Sequence, residues 1–124
     1  MALMESGEMY LETILILSQK QPQVRSIDIA DHMNFSKPSV SRAMHLLKDS
    51  GYIDMDKSGL ITLLEPGRKV AESIYDRHNI LSKALVYLGV DEETATDDAC
   101  RMEHYISEKS FQAIKTCLQK NGLL

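Results

Sequence analysis

The 124-residue chain contains no tryptophan and only two cysteines, Cys100 and Cys117. Two cysteines do not make a disulfide framework, so we expect both to be reduced thiols. No apolar run approaches the roughly 18 residues that a membrane-spanning helix requires. The first residues lack the positive segment and the cleavage site of a secretory signal peptide. We therefore expect a cytoplasmic protein.

An excess of positive charge is also missing, because the formal net charge is −4. An acidic chain by itself weighs against a nucleic-acid-binding protein. Residues 22–63 are neutral, however, and the acidic residues are concentrated further on, within residues 91–108. The overall charge therefore leaves DNA binding open, and the local pattern has to decide it.

Three helices are predicted in the first fifty residues from the spacing of apolar residues. The first covers about residues 7–20, the second begins after Ser26 as its N-cap, and the third covers about residues 37–50. Ser36 suits the N-cap of the third helix. Asn34 can adopt the left-handed conformation that a tight turn between the second and third helices needs.

A hairpin and three further helices are predicted in the rest of the chain. Gly51 ends the third helix, and two short strands follow within residues 52–63. A long helix then runs from Glu65 to Gly89 and keeps one apolar face as far as Leu88. The next helix carries core residues as far as Ile106, and a last helix follows it. The predicted fold class is mainly α.

A helix, a tight turn, a second helix and a two-stranded wing make up a winged helix-turn-helix, whose second helix enters the major groove of DNA. Lys57 at the wing tip is placed for a backbone phosphate. Alternatively, these side chains form the solvated face of a small helical bundle, although a hairpin directly after a glycine-terminated helix disfavours that. The predicted contacts of the second helix are Ser36, Lys37, Pro38, Ser39, Ser41 and Arg42.

Cys100, Glu103 and His104 lie at positions i, i+3 and i+4 of a predicted helix, so their side chains share one face. A thiolate, a carboxylate and an imidazole together suit a borderline transition metal. The alternatives remain open at this point, because a buried cysteine often acts as a small hydrophobe and Glu-His pairs are often exposed.

Met9, Glu12 and His78 are further candidate ligands. Met9 and Glu12 are three residues apart on the first helix and can point the same way. Taken singly, Met9 could pack in the core, Glu12 could lie on a solvated face, and His78 could be an exposed imidazole.

Five segments together resemble the DtxR/MntR family of metal-dependent repressors, and the resemblance covers essentially the whole chain. The most specific is the pattern D-x-A-C-x-x-E-H-x-x-S, which occupies residues 97–107. The other four segments are Glu8-Met9-Tyr10-Leu11-Glu12, residues 36–41, Gly51-Tyr52-Ile53 and Arg77-His78.

The resemblance implies a winged helix-turn-helix over residues 1–64 and a helical dimerisation and metal-binding domain over residues 65–124. It implies a homodimer that binds double-stranded operator DNA when metal occupies the junction of the two domains, and no enzymatic activity. The chain is also similar to the shorter members, which lack an SH3-like domain.

Carried over position by position, Met9, Cys100, Glu103 and His104 match the regulatory site of iron-type members. Glu12 and His78 match ligands of manganese-type members, and His78 also matches the ancillary site of iron-type ones. Two departures, Ser82 and Thr96, replace a carboxylate and a histidine of that ancillary site. Arg42 replaces the glutamine of some members, which leaves the operator sequence open.

Ligand softness favours Fe(II), with Mn(II) next, because thiolate and thioether ligands suit the softer ion. The rival hypothesis is a winged-helix regulator that responds to an organic ligand without metal. A metalloenzyme is disfavoured because the sequence has no His-Glu-x-x-His pattern and no phosphate-binding loop.

Overall fold

The computed structural model describes residues 5–124 of the chain. Within this range the fold is mainly α, as predicted, and pairs an N-terminal winged helix-turn-helix with C-terminal helices. None of these helices is long and apolar enough to span a membrane. In chain order the elements are α1 (Glu5–Lys20), α2 (Ser26–Met33), α3 (Lys37–Asp49), β1 (Ile53–Met55), β2 (Ile61–Leu63), α4 (Glu65–Tyr87), α5 (Glu92–Met102) and α6 (Glu108–Lys120).

The chain divides into two compact units, the first ending at Glu72 and the second covering Ser73–Leu124. The division falls within α4, which therefore contributes residues to both units. The predicted domain ranges, residues 1–64 and 65–124, stay a prediction, and residues 1–4 lie outside the described part of the chain.

The turn between α2 and α3 has the predicted left-handed residue, Asn34, with φ 58° and ψ 42°. Ser36 caps α3 as predicted, because its side chain accepts a hydrogen bond from the Ser39 N–H. The prediction that Ser26 caps α2 is wrong. Arg25 is the N-cap, and its N–H donates to the Asp28 carboxylate at 2.8 Å, so an aspartate in the first turn replaces a hydroxyl cap.

The hairpin after α3 pairs β1 and β2 antiparallel, with Ile53 opposite Leu63. Both of these side chains are buried, and the Ile61 N–H donates to the Val24 carbonyl at 2.8 Å. The start of α4 also approaches the hairpin closely. A Cβ atom on Gly67 would lie 2.1 Å from the Tyr52 carbonyl oxygen, so only glycine fits at that position.

The second unit has a core of Ile80, Phe111 and Leu118, to which α4 and α6 both contribute. The apolar face of α4 continues to Leu88 as predicted, because Leu88 lines an apolar groove with Leu81 and Leu85, although α4 itself ends one residue earlier, at Tyr87. The helix ends there because Gly89 follows with φ 107°, a left-handed value that glycine adopts without a steric penalty.

Candidate metal centre and nucleic-acid interface

The predicted helical position of Glu103 and His104 is wrong, because α5 ends at Met102 and both residues lie in the turn that follows. Glu103 is the C-cap and keeps helical angles, and its N–H donates to the Ala99 carbonyl at 3.0 Å. The chain leaves the helix here because Ser107, in an extended conformation, already caps α6. Glu103 nevertheless stays on the same face as Cys100, one turn earlier.

Arg77 on α4 holds this turn in place. Its Nη1 donates to the carbonyl oxygens of Glu103 at 3.2 Å and Ile106 at 2.8 Å, and its Nη2 pairs with Glu108 at 2.7 Å. The guanidinium also lies 5.3 Å from the centre of the Phe111 ring. Arg77 therefore satisfies carbonyl groups that the end of α5 leaves without helical partners.

Sequence reasoning treated Arg77 only as part of a matching segment and missed this role. The available signal was its position next to the candidate ligand His78, on a helix that precedes the metal-binding pattern. An arginine with five donors suits carbonyl groups at a helix C-terminus.

The Glu103 carboxylate lies between two imidazoles. Its side chain is 0% exposed, with Oε2 3.0 Å from His78 Nδ1 and Oε1 3.3 Å from His104 Nε2. The His104 side chain is buried as well, and that of His78 is 21% exposed. A buried carboxylate is costly unless positive charge or hydrogen bonds compensate it, so this arrangement favours a cation beside Glu103.

Cys100 belongs to the same group. One ligand atom each from His78, Cys100 and Glu103 can be chosen so that all lie within 4.8 Å of one another. Cys100 is exposed, so it does not serve as a small hydrophobe in the core. The predicted ligands of the second unit are therefore brought together around Glu103.

The electrostatics of His78 fit this description. Hydrogen bonding to the Cys100 sulfur, and next to the Glu103 carboxylate, raises the pKa of His78 to about 10, although partial burial opposes the shift. The surroundings of His78 therefore stabilise a positive charge, and a bound metal ion would also supply a positive charge there.

The donor chemistry of these residues fits a divalent transition metal. They offer sulfur, nitrogen and carboxylate oxygen, the mixed set that zinc, iron and related ions accept. His78, Cys100, Glu103 and His104 are the residues of the second unit that could hold such an ion.

The two remaining predicted ligands belong to the first unit. Glu12 is 8% exposed, so it does not lie on a solvated face, and Met9 is half-buried. Whether Met9 and Glu12 join the ligand set stays a prediction.

The predicted DNA contacts lie on the first unit. Ser39 is half-buried, and its hydroxyl oxygen accepts hydrogen bonds from Ser36 Oγ at 2.7 Å and Arg42 Nη2 at 3.5 Å. The other predicted contacts are exposed to solvent, and their roles stay predictions: Ser36, Lys37, Pro38, Ser41, Arg42 and, in the turn between β1 and β2, Lys57.

Comparison with protein families gives two adjacent matches. Residues 2–60 match the N-terminal DNA binding domain of iron dependent repressors. Residues 64–121 match the metal binding and dimerisation domain of the same repressors.

Two relatives are similar over almost the whole chain. The transcriptional regulator MntR of Escherichia coli O157:H7 is 34% identical over 113 residues, which are 91% of this chain and 73% of the relative. An uncharacterized HTH-type transcriptional regulator of Methanocaldococcus jannaschii is 31% identical over 118 residues, which are 94% of each chain.

Two solved structures share the fold. A manganese-dependent transcriptional repressor in complex with manganese has a TM-score of 0.81 and 26% identity, and covers 95% of this chain. The manganese regulator SloR has a TM-score of 0.80 and 25% identity, and covers 91% of this chain. The chain spans 53% of each of those two proteins.

Proposed function

Because the chain belongs to the DtxR/MntR family of iron-dependent repressors, we propose that it represses transcription by binding operator DNA as a homodimer once a divalent transition metal is bound. The resemblance found in the sequence is thus confirmed, as is the expectation of a regulator and not an enzyme. The observation that carries the proposal is the buried Glu103 carboxylate between the imidazoles of His78 and His104.

The metal is held, in this proposal, by His78, Cys100, Glu103 and His104. A bound divalent ion would supply a fixed link among side chains that come from α4, from α5 and from the turn after α5. Arg77 holds the backbone of that turn, so the donor atoms need little rearrangement. The resemblance adds Met9 and Glu12 of α1 to the proposed ligands.

Metal binding would raise DNA affinity by a shift in population. A ligand shifts an equilibrium only as far as it prefers one conformation, so the metal has to bind more tightly to the DNA-competent conformation than to the others. By thermodynamic reciprocity, operator DNA then tightens metal binding by the same factor. Both quantities are measurable on the same protein.

The proposed metal is Fe(II), with Mn(II) next. Sulfur at Cys100, and at Met9 if it ligates, favours Fe(II) over the harder Mn(II). The manganese in the names of two similar structures supports Mn(II) instead. Replacing Cys100 with aspartate should therefore shift the preference of the protein towards Mn(II).

Homodimer formation is proposed through the second unit. An apolar surface there includes Leu88, Tyr87 and Val86, which are 76%, 53% and 42% exposed. It continues into a groove of about 260 Å³ with apolar walls that include Leu85 and Met102. Burial of this surface against a second copy fits the match of residues 64–121 to a dimerisation domain. A cytoplasmic location is part of the same proposal.

The decisive experiment measures DNA binding against a panel of Fe(II), Mn(II), Co(II) and Zn(II) under anaerobic conditions. A duplex enriched from a random library on the Fe(II)-loaded protein serves as the probe, and fluorescence anisotropy reports affinity. We expect tight binding with metal, loss of binding with chelator, and loss in Glu103→Gln. Exposed Glu92→Gln on α5 is the matched control and should behave as wild type.

Equal affinity with chelator and with every metal would contradict the metal-dependent mechanism. That result would favour the rival regulator that responds to an organic ligand. The ligand set is tested by the metal content of Cys100→Ala, Met9→Leu and Glu12→Gln.

A further inference from the structure

Arg25 connects the start of the helix-turn-helix with the tip of the wing. Its Nε donates to the Ser58 carbonyl at 3.2 Å, and its Nη1 donates to Gln23 Oε1 at 3.3 Å. Ser58 is 33 residues away in sequence, in the turn between β1 and β2. Apart from these contacts, the Arg25 backbone N–H donates to Asp28 and caps α2.

The wing turn is rigid in itself. One oxygen of Asp56 accepts hydrogen bonds from the Ser58 N–H, the Ser58 hydroxyl and the Leu60 N–H, at 2.9, 2.7 and 2.9 Å. These bonds, with the Ser58 hydroxyl first, hold the pKa of Asp56 below its usual value. Lys57, the predicted phosphate contact, is the exposed residue between Asp56 and Ser58.

The base of the wing has its own anchors. The Ile61 N–H donates to the Val24 carbonyl at 2.8 Å, and Lys48 Nζ donates to the Met55 carbonyl at 3.3 Å. Both bonds lie on the strands, before or after the turn that carries Lys57. The contact of Arg25 with Ser58, in contrast, reaches the turn itself. The other side-chain bonds of the turn are internal to it, so the contact with Arg25 fixes its orientation relative to the start of α2.

We infer that Arg25 is a positioning residue, which holds the wing tip so that Lys57 reaches a phosphate of the bound DNA. The inference rests on the proposed function, since Lys57 is a phosphate contact only if the chain binds DNA. The guanidinium acts through its bonds to the wing and not through a phosphate of its own. An arginine suits this task because its planar donors can engage two acceptors at once.

The test uses the metal-loaded protein and the enriched duplex, with Arg25→Gln, Lys57→Gln and the double variant. Affinity is measured over a range of salt concentrations, because each lost phosphate contact lowers the slope of log affinity against log salt by about 0.9. We expect Arg25→Gln and Lys57→Gln to lower the slope equally, and the double variant to lower it no further. The exposed Lys120→Gln at the end of α6 is the control and should keep the wild-type slope.

A second measurement follows the wing without DNA. Backbone ¹⁵N relaxation of Ser58, Gly59 and Leu60 should show lower order parameters in Arg25→Gln and wild-type values in Lys57→Gln. The variant is expected to fold, because the cap of α2 uses the backbone N–H of Arg25 and not its side chain. Gln23→Ala removes the other contact of the guanidinium and should lower the same order parameters by a smaller amount.

Two results would overturn the inference. If the slope falls by about 0.9 per subunit in each single variant and by twice that in the double variant, Arg25 contacts a phosphate itself. If the order parameters of the wing tip are unchanged in Arg25→Gln, Arg25 does not hold the wing. Failure of the wild-type protein to bind any DNA would instead refute the proposed function, and the relaxation data would still decide whether Arg25 holds the wing.

Discussion

Two side chains of the candidate metal centre and two of the predicted DNA contacts on α3 lie in opposite environments. Glu103 and His104 are almost completely buried, whereas Lys37 and Arg42 are exposed to solvent. A buried polar group must find its partners within the protein, but an exposed one can exchange water for a later partner. Glu103 and His104 are therefore held by the fold, whereas the predicted DNA contacts Lys37 and Arg42 can exchange water for a later partner.

The two regions are also held in place differently. The turn that carries Glu103 is fixed from another helix, by Arg77 of α4. The start of α3 is fixed locally, by the cap that Ser36 provides. Substitutions in the centre should consequently have large and mutually dependent effects, and those on α3 small and separate ones.

The largest effect is expected for Glu103→Gln. Loss of the charge between His78 and His104 should reduce metal affinity by more than about 100-fold. Even mutation of residues that only orient metal ligands typically lowers metal affinity by about 10–100-fold. Competition with a fluorescent chelator measures this. The exposed Glu92→Gln is the control, and wild-type affinity in Glu103→Gln would show that the centre lies elsewhere.

Arg77→Gln should come next. Without its donors, the carbonyl groups of Glu103 and Ile106 lose their fixed position, so we expect metal affinity to fall by about 10–100-fold. The matched control is Glu108→Gln, which removes only the exposed partner of Arg77 and should leave metal affinity unchanged. If Arg77→Gln and Glu108→Gln both bind metal as tightly as the wild-type protein, the turn does not depend on Arg77.

The pH dependence of metal binding is the third expected effect. Because the pKa of His78 is raised to about 10, a metal ion must displace a proton from it at neutral pH. Metal affinity should accordingly rise by at least about tenfold for each pH unit below about pH 10, because Cys100 must also lose its proton to bind as a thiolate. Chelator competition at several pH values within this window measures the slope, and an affinity independent of pH would contradict it.

The metal-free protein should show the opposite trend. The raised pKa of His78 stabilises the folded state, and this stabilisation is complete below about pH 6.5, the ordinary pKa of histidine in an unfolded chain. It is lost as the pH rises towards about 10, the pKa of His78 in the folded protein. Urea unfolding of the metal-free protein should therefore give a lower free energy at higher pH. In the His78→Gln control this part of the dependence should disappear.

The smallest effect is expected for Ser36→Ala on α3. Loss of the cap should lower the free energy of unfolding by about 1 kcal/mol and leave metal affinity unchanged. Ser41→Ala, an exposed change within the same helix, should stay within about 0.5 kcal/mol of wild type. An altered metal affinity in Ser36→Ala would mean that the two regions are less separate than their environments suggest.

Local signals in the sequence were enough to predict most of the helix-turn-helix. Asn34, Ser36 and Gly51 act within a few residues of themselves, and the structure confirms the turn, the cap and the end of α3. The N-cap of α2 was predicted wrongly because a serine and an aspartate, Ser26 and Asp28, are both common at the start of a helix. The sequence alone does not show which of the two side chains makes the capping hydrogen bond.

The prediction of the metal centre depended more on the resemblance to a known family than on the helical periodicity of the sequence. Helical spacing grouped Cys100 with Glu103 and His104, but it could not show that α5 ends at Met102. Pairing Glu103 with His78 requires a contact across 25 residues, and the bonds from Arg77 span 26 and 29. Contacts of this kind depend on how helices pack, which no local pattern encodes.

The close approach of Gly67 to Tyr52 has a consequence for tracing descent within this family. The constraint comes from the peptide backbone of the hairpin, so no change in neighbouring side chains can make room for a larger residue. A distant homologue with another residue at this position must have moved the start of α4 away from its wing. The identity of that single residue should therefore separate members that keep this junction from members that have rebuilt it, whichever metal they bind.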